Sequence, residues 1–229
     1  MLSRVRCSER RRQISGKSLP GRKDENRSAL VDSLPSSELE ETEILSDRIY
    51  LALSRRDWGE AERLLAQLNE DVDASIWTRT SPVPRVLYAV LIARLQGESP
   101  DGLARFLGMR EELGRKIAAT PLSDDAISNL AVVDALLGRK QEAIAEAKQA
   151  AEILPISTDA VEGPPLLVNL AMVYAWCNES DLAFAQLNAL AKTPRGIYAG
   201  SLILEPLWDP LRKDPRFEKL LAEITPREH

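Results

Sequence analysis

Apolar positions recur at helical spacing along most of this chain, and they set the first expectations. Ser37 with Glu40 three positions on matches a capping box and marks where order is expected to begin. Ile49, Ala52 and Leu53 form one apolar stripe; Ala61, Leu64, Leu65 and Leu68 form a second at i, i+3, i+4 and i+7. Asp57-Trp58-Gly59 is the turn expected between them. Residues 86–93 are apolar on every side, which suits a helix buried between neighbours, and Gly97 closes it. Ser99 as cap and Pro100 at the first helical position open the next helix, with Leu103, Phe106, Leu107, Leu113 and Ile117 as its stripe. No stretch alternates with period two between turn signals, so no sheet is expected.

Asp124 to Ser157 carries a more specific spacing: Leu130, Ala131, Gly138, Ala143, Ala147, Ala150 and Pro155. Two short helices account for it. Gly138 ends the first in the left-handed conformation, Ala143 and Ala147 let the second approach closely, and Pro155 stops it. The series recurs further along the chain as Leu170, Ala171, Tyr174, Asn178 in the glycine slot, Ala183, Leu187 and Leu190. Asn is the next-best residue for a left-handed helix end.

These residues resemble the tetratricopeptide repeat, a helix-turn-helix unit of about 34 residues. The offset between the two series reads as one such unit plus an insertion around Thr158–Gly163. The resemblance is clear for 124–157 and 164–194. It is degenerate for 45–69 and for 86–119, where Gly102 stands in place of the small Ala. Asp134 occupies the slot that an aromatic usually fills in the first helix. The run from Leu204 through Trp208 to Phe217 is similar to the terminal segment of large bacterial regulators, which join a Ser/Thr kinase, adenylate cyclase or DNA-binding domain to a tetratricopeptide region. Asp214 and Pro215 open a last helix whose face is Phe217, Leu220, Leu221 and Ile224, a cap over 198–226 for the final repeat. The resemblance implies an all-α, right-handed solenoid over 37–229.

Composition narrows the chemistry. The chain has 229 residues, 44% of them hydrophobic and only 5% aromatic, with a net charge of −5. It is long enough to bury a core without disulfides or metals. Residues 1–28 hold nine Lys/Arg against three acids, a net of +6, which leaves −11 for the rest. With its Ser, Pro and Gly punctuation, 1–36 reads as a disordered basic tail rather than a nucleic-acid arm. The single histidine, His229, excludes a His-based triad, dyad or metal site within the fold, and Cys7 and Cys177 are too few for a Cys-rich zinc site. No apolar run reaches the length of a membrane span, and the start lacks the apolar stretch of a secretory signal. No cofactor, metal or catalytic site is expected, and the reduced thiols suit the cytoplasm.

The resemblance further implies a concave groove lined by the first helix of each repeat. Its candidates are Asn129, Val132, Asn169, Met172 and Trp176, within linings of Asp125, Ser128, Asn129, Val132, Ala135 and Leu136, and of Val168, Asn169, Met172, Ala175 and Trp176. The two Asn amides would hydrogen-bond an extended peptide. Asp125, Ser128 and Val132 occupy the slots where a carboxylate clamp needs cations, so a partner with apolar anchors is expected. Cys177, at a helix C-terminus, is expected to pack rather than react. The expected function is non-catalytic protein–protein interaction; the alternative is a regulatory or sensory segment of a bacterial signalling protein without its catalytic half.

Overall fold

The computed structural model describes residues 42–68, 75–77, 82–119 and 124–225. The basic tail and the capping box at Ser37 lie outside these residues. The fold is helical: α1 (Thr42–Ser54), α2 (Trp58–Leu65), α3 (Arg85–Leu95), α4 (Pro100–Leu103), α5 (Leu107–Ala119), α6 (Asp124–Leu136), α7 (Lys140–Ile153), α8 (Gly163–Trp176), α9 (Ser180–Leu190), α10 (Ala199–Leu204) and α11 (Pro215–Ile224). Short 3-10 segments cover Ala104–Phe106 and Pro206–Leu211. The expectation of no sheet needs one local correction. Ser75–Trp77 (β1) pairs antiparallel with Pro82–Pro84 (β2), with Ile76 opposite Val83. Strands this short show no alternation to read, and the ribbon leaves the all-α class unchanged.

Helix α2 also starts earlier than the sequence suggests. Asp57 is its N-cap and accepts from the Glu60 N–H at 3.1 Å, so Trp58 and Gly59 are already helical. The turn itself is Arg55-Arg56. Ser99 caps α4 as expected, with its hydroxyl accepting from the Gly102 N–H. The buried apolar run of α3 includes Val86, Leu87, Val90, Leu91, Ile92 and Ala93.

One turn recurs through the structure. Arg56 (φ 57°), Gly97 (φ 81°), Gly138 (φ 82°) and Asn178 (φ 59°) each end a helix in the left-handed region, at nearly equal intervals along the chain. In each case the next residue's N–H reaches back to the carbonyl five positions earlier. The bonds are Asp57 to Ala52 (2.9 Å), Glu98 to Ala93 (3.0 Å), Arg139 to Asp134 (2.8 Å) and Glu179 to Tyr174 (2.9 Å). This pairing satisfies carbonyls that a helix C-terminus otherwise leaves open. Five positions after each turn stands a small residue: Ala61, Gly102, Ala143 and Ala183. The three alanines are fully buried, so the second helix meets the first at close range. The same spacing therefore holds for all three intervals, not only for the one that contains Thr158–Gly163.

The helices pack in the order these turns dictate. α6 lies against α7 and α8, α7 also against α8, and α8 against α9. α3 and α5 both pack on α6, and α2 joins α1 to α3. Burial of Ala143, Ala147 and Ala150 along one side of α7 makes this closeness possible. After α9 the chain turns sharply at Arg195, which has φ 59°. A Cβ on Gly196 would collide with the Leu190 carbonyl oxygen, so only glycine fits.

The C-terminal segment then returns across the fold. The Pro206–Leu211 turn packs on α8, and Trp208 is fully buried. Asp214 caps α11 through the Arg216 N–H, and Phe217 and Leu220 are buried, with α11 packed on α9 and α10. Arg56 joins this segment to the first turn. Its guanidinium donates to the Leu204 carbonyl at 3.1 Å and to Asp209 Oδ1 at 2.7 Å. Arg212 holds the same Asp209 oxygen at 2.6 Å and donates to the Ile203 and Glu205 carbonyls.

Gly196→Ala and Gly200→Ala separate packing from propensity. The first forces the Thr193–Gly196 turn away from Leu190 and is expected to lower stability by about 1–3 kcal/mol. Gly200 sits in α10 with open space around its Cα. Its alanine variant should be neutral or stabilising by up to about 1 kcal/mol. Urea unfolding of both variants checks this; equal effects would contradict the close approach at Gly196.

Candidate functional site

Residues of α1, α3, α6 and α8 line a partly open cavity of about 130 Å³. Register explains its lining. Counting back from each left-handed residue, position six holds Tyr50, Val132 and Met172, and position nine holds Tyr88, Asn129 and Asn169. Position thirteen supplies Asp125 and Pro165. These positions lie on one stripe of each first helix. The opposite wall is the returning C-terminal segment, with Tyr198, Ser201 and Leu204 to Leu207.

Of the five residues expected to line a groove, Asn129, Val132, Asn169 and Met172 border this cavity. Their availability differs from expectation. Val132 and Met172 are buried, and the Asn169 amide already donates to the Ser128 hydroxyl at 2.9 Å, tying α8 to α6. Trp176 does not line the cavity. Its indole N–H donates to the Leu207 carbonyl at 2.9 Å, and its half-buried ring packs on the core. Of the wider lining, Asp125 and Val168 reach the cavity, whereas Ser128, Ala135, Leu136 and Ala175 are buried elsewhere in the packing.

Sequence reasoning missed Tyr50, Tyr88 and the whole C-terminal wall. Tyr88 was findable, because it stands nine positions before Gly97 just as Asn129 stands nine before Gly138. Burial pushes the Tyr88 hydroxyl well above the ordinary tyrosine range, and the nearby Glu205 and Tyr50 add to this. It is a neutral donor at any physiological pH. Burial also raises the Asp125 carboxyl, helped by the negative charges of Asp124 and Glu162. Arg195 is the cation on the lining, and it is exposed. Cys177 is buried and its thiol is raised by that burial, which disfavours the thiolate.

A second cluster of ionisable groups lies away from the cavity. Asp134, in the slot where an aromatic was expected, is fully buried. Arg110 of α5 holds it with two hydrogen bonds, at 2.8 and 2.5 Å, and also reaches Glu146 of α7 at 3.0 Å. Arg139 adds a contact to Asp134 at 3.2 Å. One buried carboxylate thus joins three helices, and its charge is offset by a bidentate guanidinium. Burial, with the negative charge of Asp134, pushes the Glu146 carboxyl up to about 7 against the pull of Arg110 and Arg139. The cluster does not border the cavity, and its groups serve packing.

Among the described residues no group of three or more His, Cys, Asp or Glu is placed to hold a metal ion. No described helix is long and apolar enough to cross a membrane. Comparison of the chain with family models, with curated proteins and with solved structures finds no match.

The Glu146 carboxyl titrates higher in the folded chain than its ordinary value near 4.5. The folded state therefore binds the extra proton, and stability falls as pH rises between those two values. This contribution is complete below about pH 4.5 and lost once pH passes about 7. Glu146→Gln removes the titration while keeping an acceptor for Arg110. Thermal melts across this window should show wild type losing stability relative to Glu146→Gln as pH rises. Parallel curves would contradict the assignment.

Proposed function

We propose that this chain is a non-catalytic interaction module of tetratricopeptide-repeat type, a right-handed stack of helix pairs that holds a protein or peptide partner by its inner face. The observation that carries the reading is the shared register of the cavity lining: three of the four first helices contribute position six and three contribute position nine. Repeat stacks build their inner surfaces this way. The lining is mainly apolar, with amide and hydroxyl groups at intervals, which suits anchoring rather than bond-breaking.

The C-terminal wall changes the form of the contact. A volume of about 130 Å³ is comparable to cavities that hold one six-carbon ring. One anchoring side chain fits, where an open groove would take a whole extended strand. The exposed Tyr198 and half-buried Val168 and Pro165 at the lining are where the rest of a partner segment would lie.

Selection of a displayed random-peptide library on the full chain tests this reading. Enriched peptides should share one anchoring side chain and lose about tenfold or more in affinity on Tyr198→Ala, with the melting temperature unchanged because Tyr198 is 55% exposed. Trp176→Ala, by contrast, is expected to destabilise the domain by releasing the Leu207 contact. Enrichment indifferent to Tyr198, or no enrichment, would overturn the cavity as the site.

A further inference from the structure

We infer that the cavity takes a phenyl ring, presented as the side chain of a partner phenylalanine; this deepens the reading above and rests on it. The state of the polar lining carries the assignment. The Asn169 amide donates to the Ser128 hydroxyl at 2.9 Å, the Ser54 hydroxyl to the Leu51 carbonyl at 2.9 Å, and the Ser201 hydroxyl to the Tyr198 carbonyl at 3.0 Å. Tyr50, Asn129 and Glu205 have interaction partners as well. Among the described residues, the buried side-chain nitrogen and oxygen atoms without a hydrogen-bond partner belong to Glu98, Arg139, Glu146 and Trp208, and none of these residues lines the cavity. Of the other charged residues on the lining, Arg195 is exposed, and Asp125 is half-buried in the first turn of α6, where a helix N-terminus favours negative charge.

A ligand entering such a space finds no buried group in need of a partner. Any donor, acceptor or charge it brought to the buried lining would leave water without replacement, so the occupant is apolar. Leu53, Leu87, Val132, Pro165, Met172 and Leu204 give it apolar contacts. The volume of about 130 Å³ suits one six-carbon ring. An aromatic ring gains more here than an aliphatic group, because Met172 supplies a polarisable sulfur and Tyr88 an aromatic side chain. The lining also continues onto exposed Tyr198 and half-buried Val168. Partner residues on either side of the phenylalanine cover this apolar surface, which a free ring leaves in water.

The test uses the full chain and defined probes: short capped peptides with one central Phe, Leu, Tyr or Ala, and free toluene. Calorimetry or chemical-shift titration measures each. The Phe peptide should bind about tenfold or more tighter than the Tyr and Ala peptides, and several-fold tighter than the Leu peptide. It should also bind tighter than toluene. Met172→Trp, which fills the space, should abolish binding of the Phe peptide. Should that variant fail to fold, Val168→Trp at its half-buried position decides, with a loss in the same direction. Leu or Tyr peptides binding as well as the Phe peptide would overturn the phenyl assignment but leave an apolar anchoring cavity standing. Toluene binding tighter than the Phe peptide would overturn the peptide source in favour of a small free ring. Binding of the Phe peptide unchanged by both Trp variants would overturn the cavity as its site. If no probe binds while library-selected peptides still bind and depend on Tyr198, the phenylalanine inference fails and the inner-face reading stands; if those peptides do not bind either, both fail.

Discussion

Everything in this fold depends on how tightly two helices can be folded back on each other at one kind of turn. Each turn places one residue in the left-handed region and one small residue five positions later. The first aligns the chain so that the reversed helix starts without a loop, and the second removes the side chain that would hold the helices apart. At Gly97 and Gly138 the left-handed conformation costs little, and Asn178 tolerates it. At Arg56 it costs about 1–2 kcal/mol. That residue is also the one whose guanidinium binds the returning C-terminal segment, at Leu204 and Asp209. Strain and long-range contact meet at the same residue, and the contact offsets the strain.

The returning C-terminal segment forms one wall of the cavity. The segment is anchored at both sides. Trp176 holds Leu207 from α8, and Arg56 holds Asp209 from the first turn. Trp208 is fully buried between them. Such burial makes the segment a fixed wall. It supplies Tyr198, Ser201 and Leu204 to Leu207 to the lining.

The local features were legible because their causes are local. The caps at Ser99 and Asp214, the turns at Gly138 and Asn178 and the buried run of α3 follow from residue types within one helix turn. Arg56 was not legible as a turn residue, because nothing about arginine favours positive φ; only its distant partner Asp209 explains it. Asp134 read as a defect in the repeat, since its partners Arg110 and Glu146 come from other helices. The inner-face residues Asn129, Val132, Asn169 and Met172 were legible from register. The burial of Asn129, Val132 and Met172 was not, because it comes from helices packed on them from elsewhere in the chain. Trp176 shares the right helix and faces the C-terminal wall instead.

Distance between the two ends of the fold tests the closed arrangement most directly. Arg55 and Lys213 are exposed and flank the Arg56–Asp209 contact. Spin labels at these two positions, with Cys7 and Cys177 replaced by serine and alanine, report their separation by pulsed electron resonance. The closed fold predicts one narrow population at short distance. A broad distribution, or a population at the separation of an open helical stack, would contradict the closed cavity and with it the site built on it.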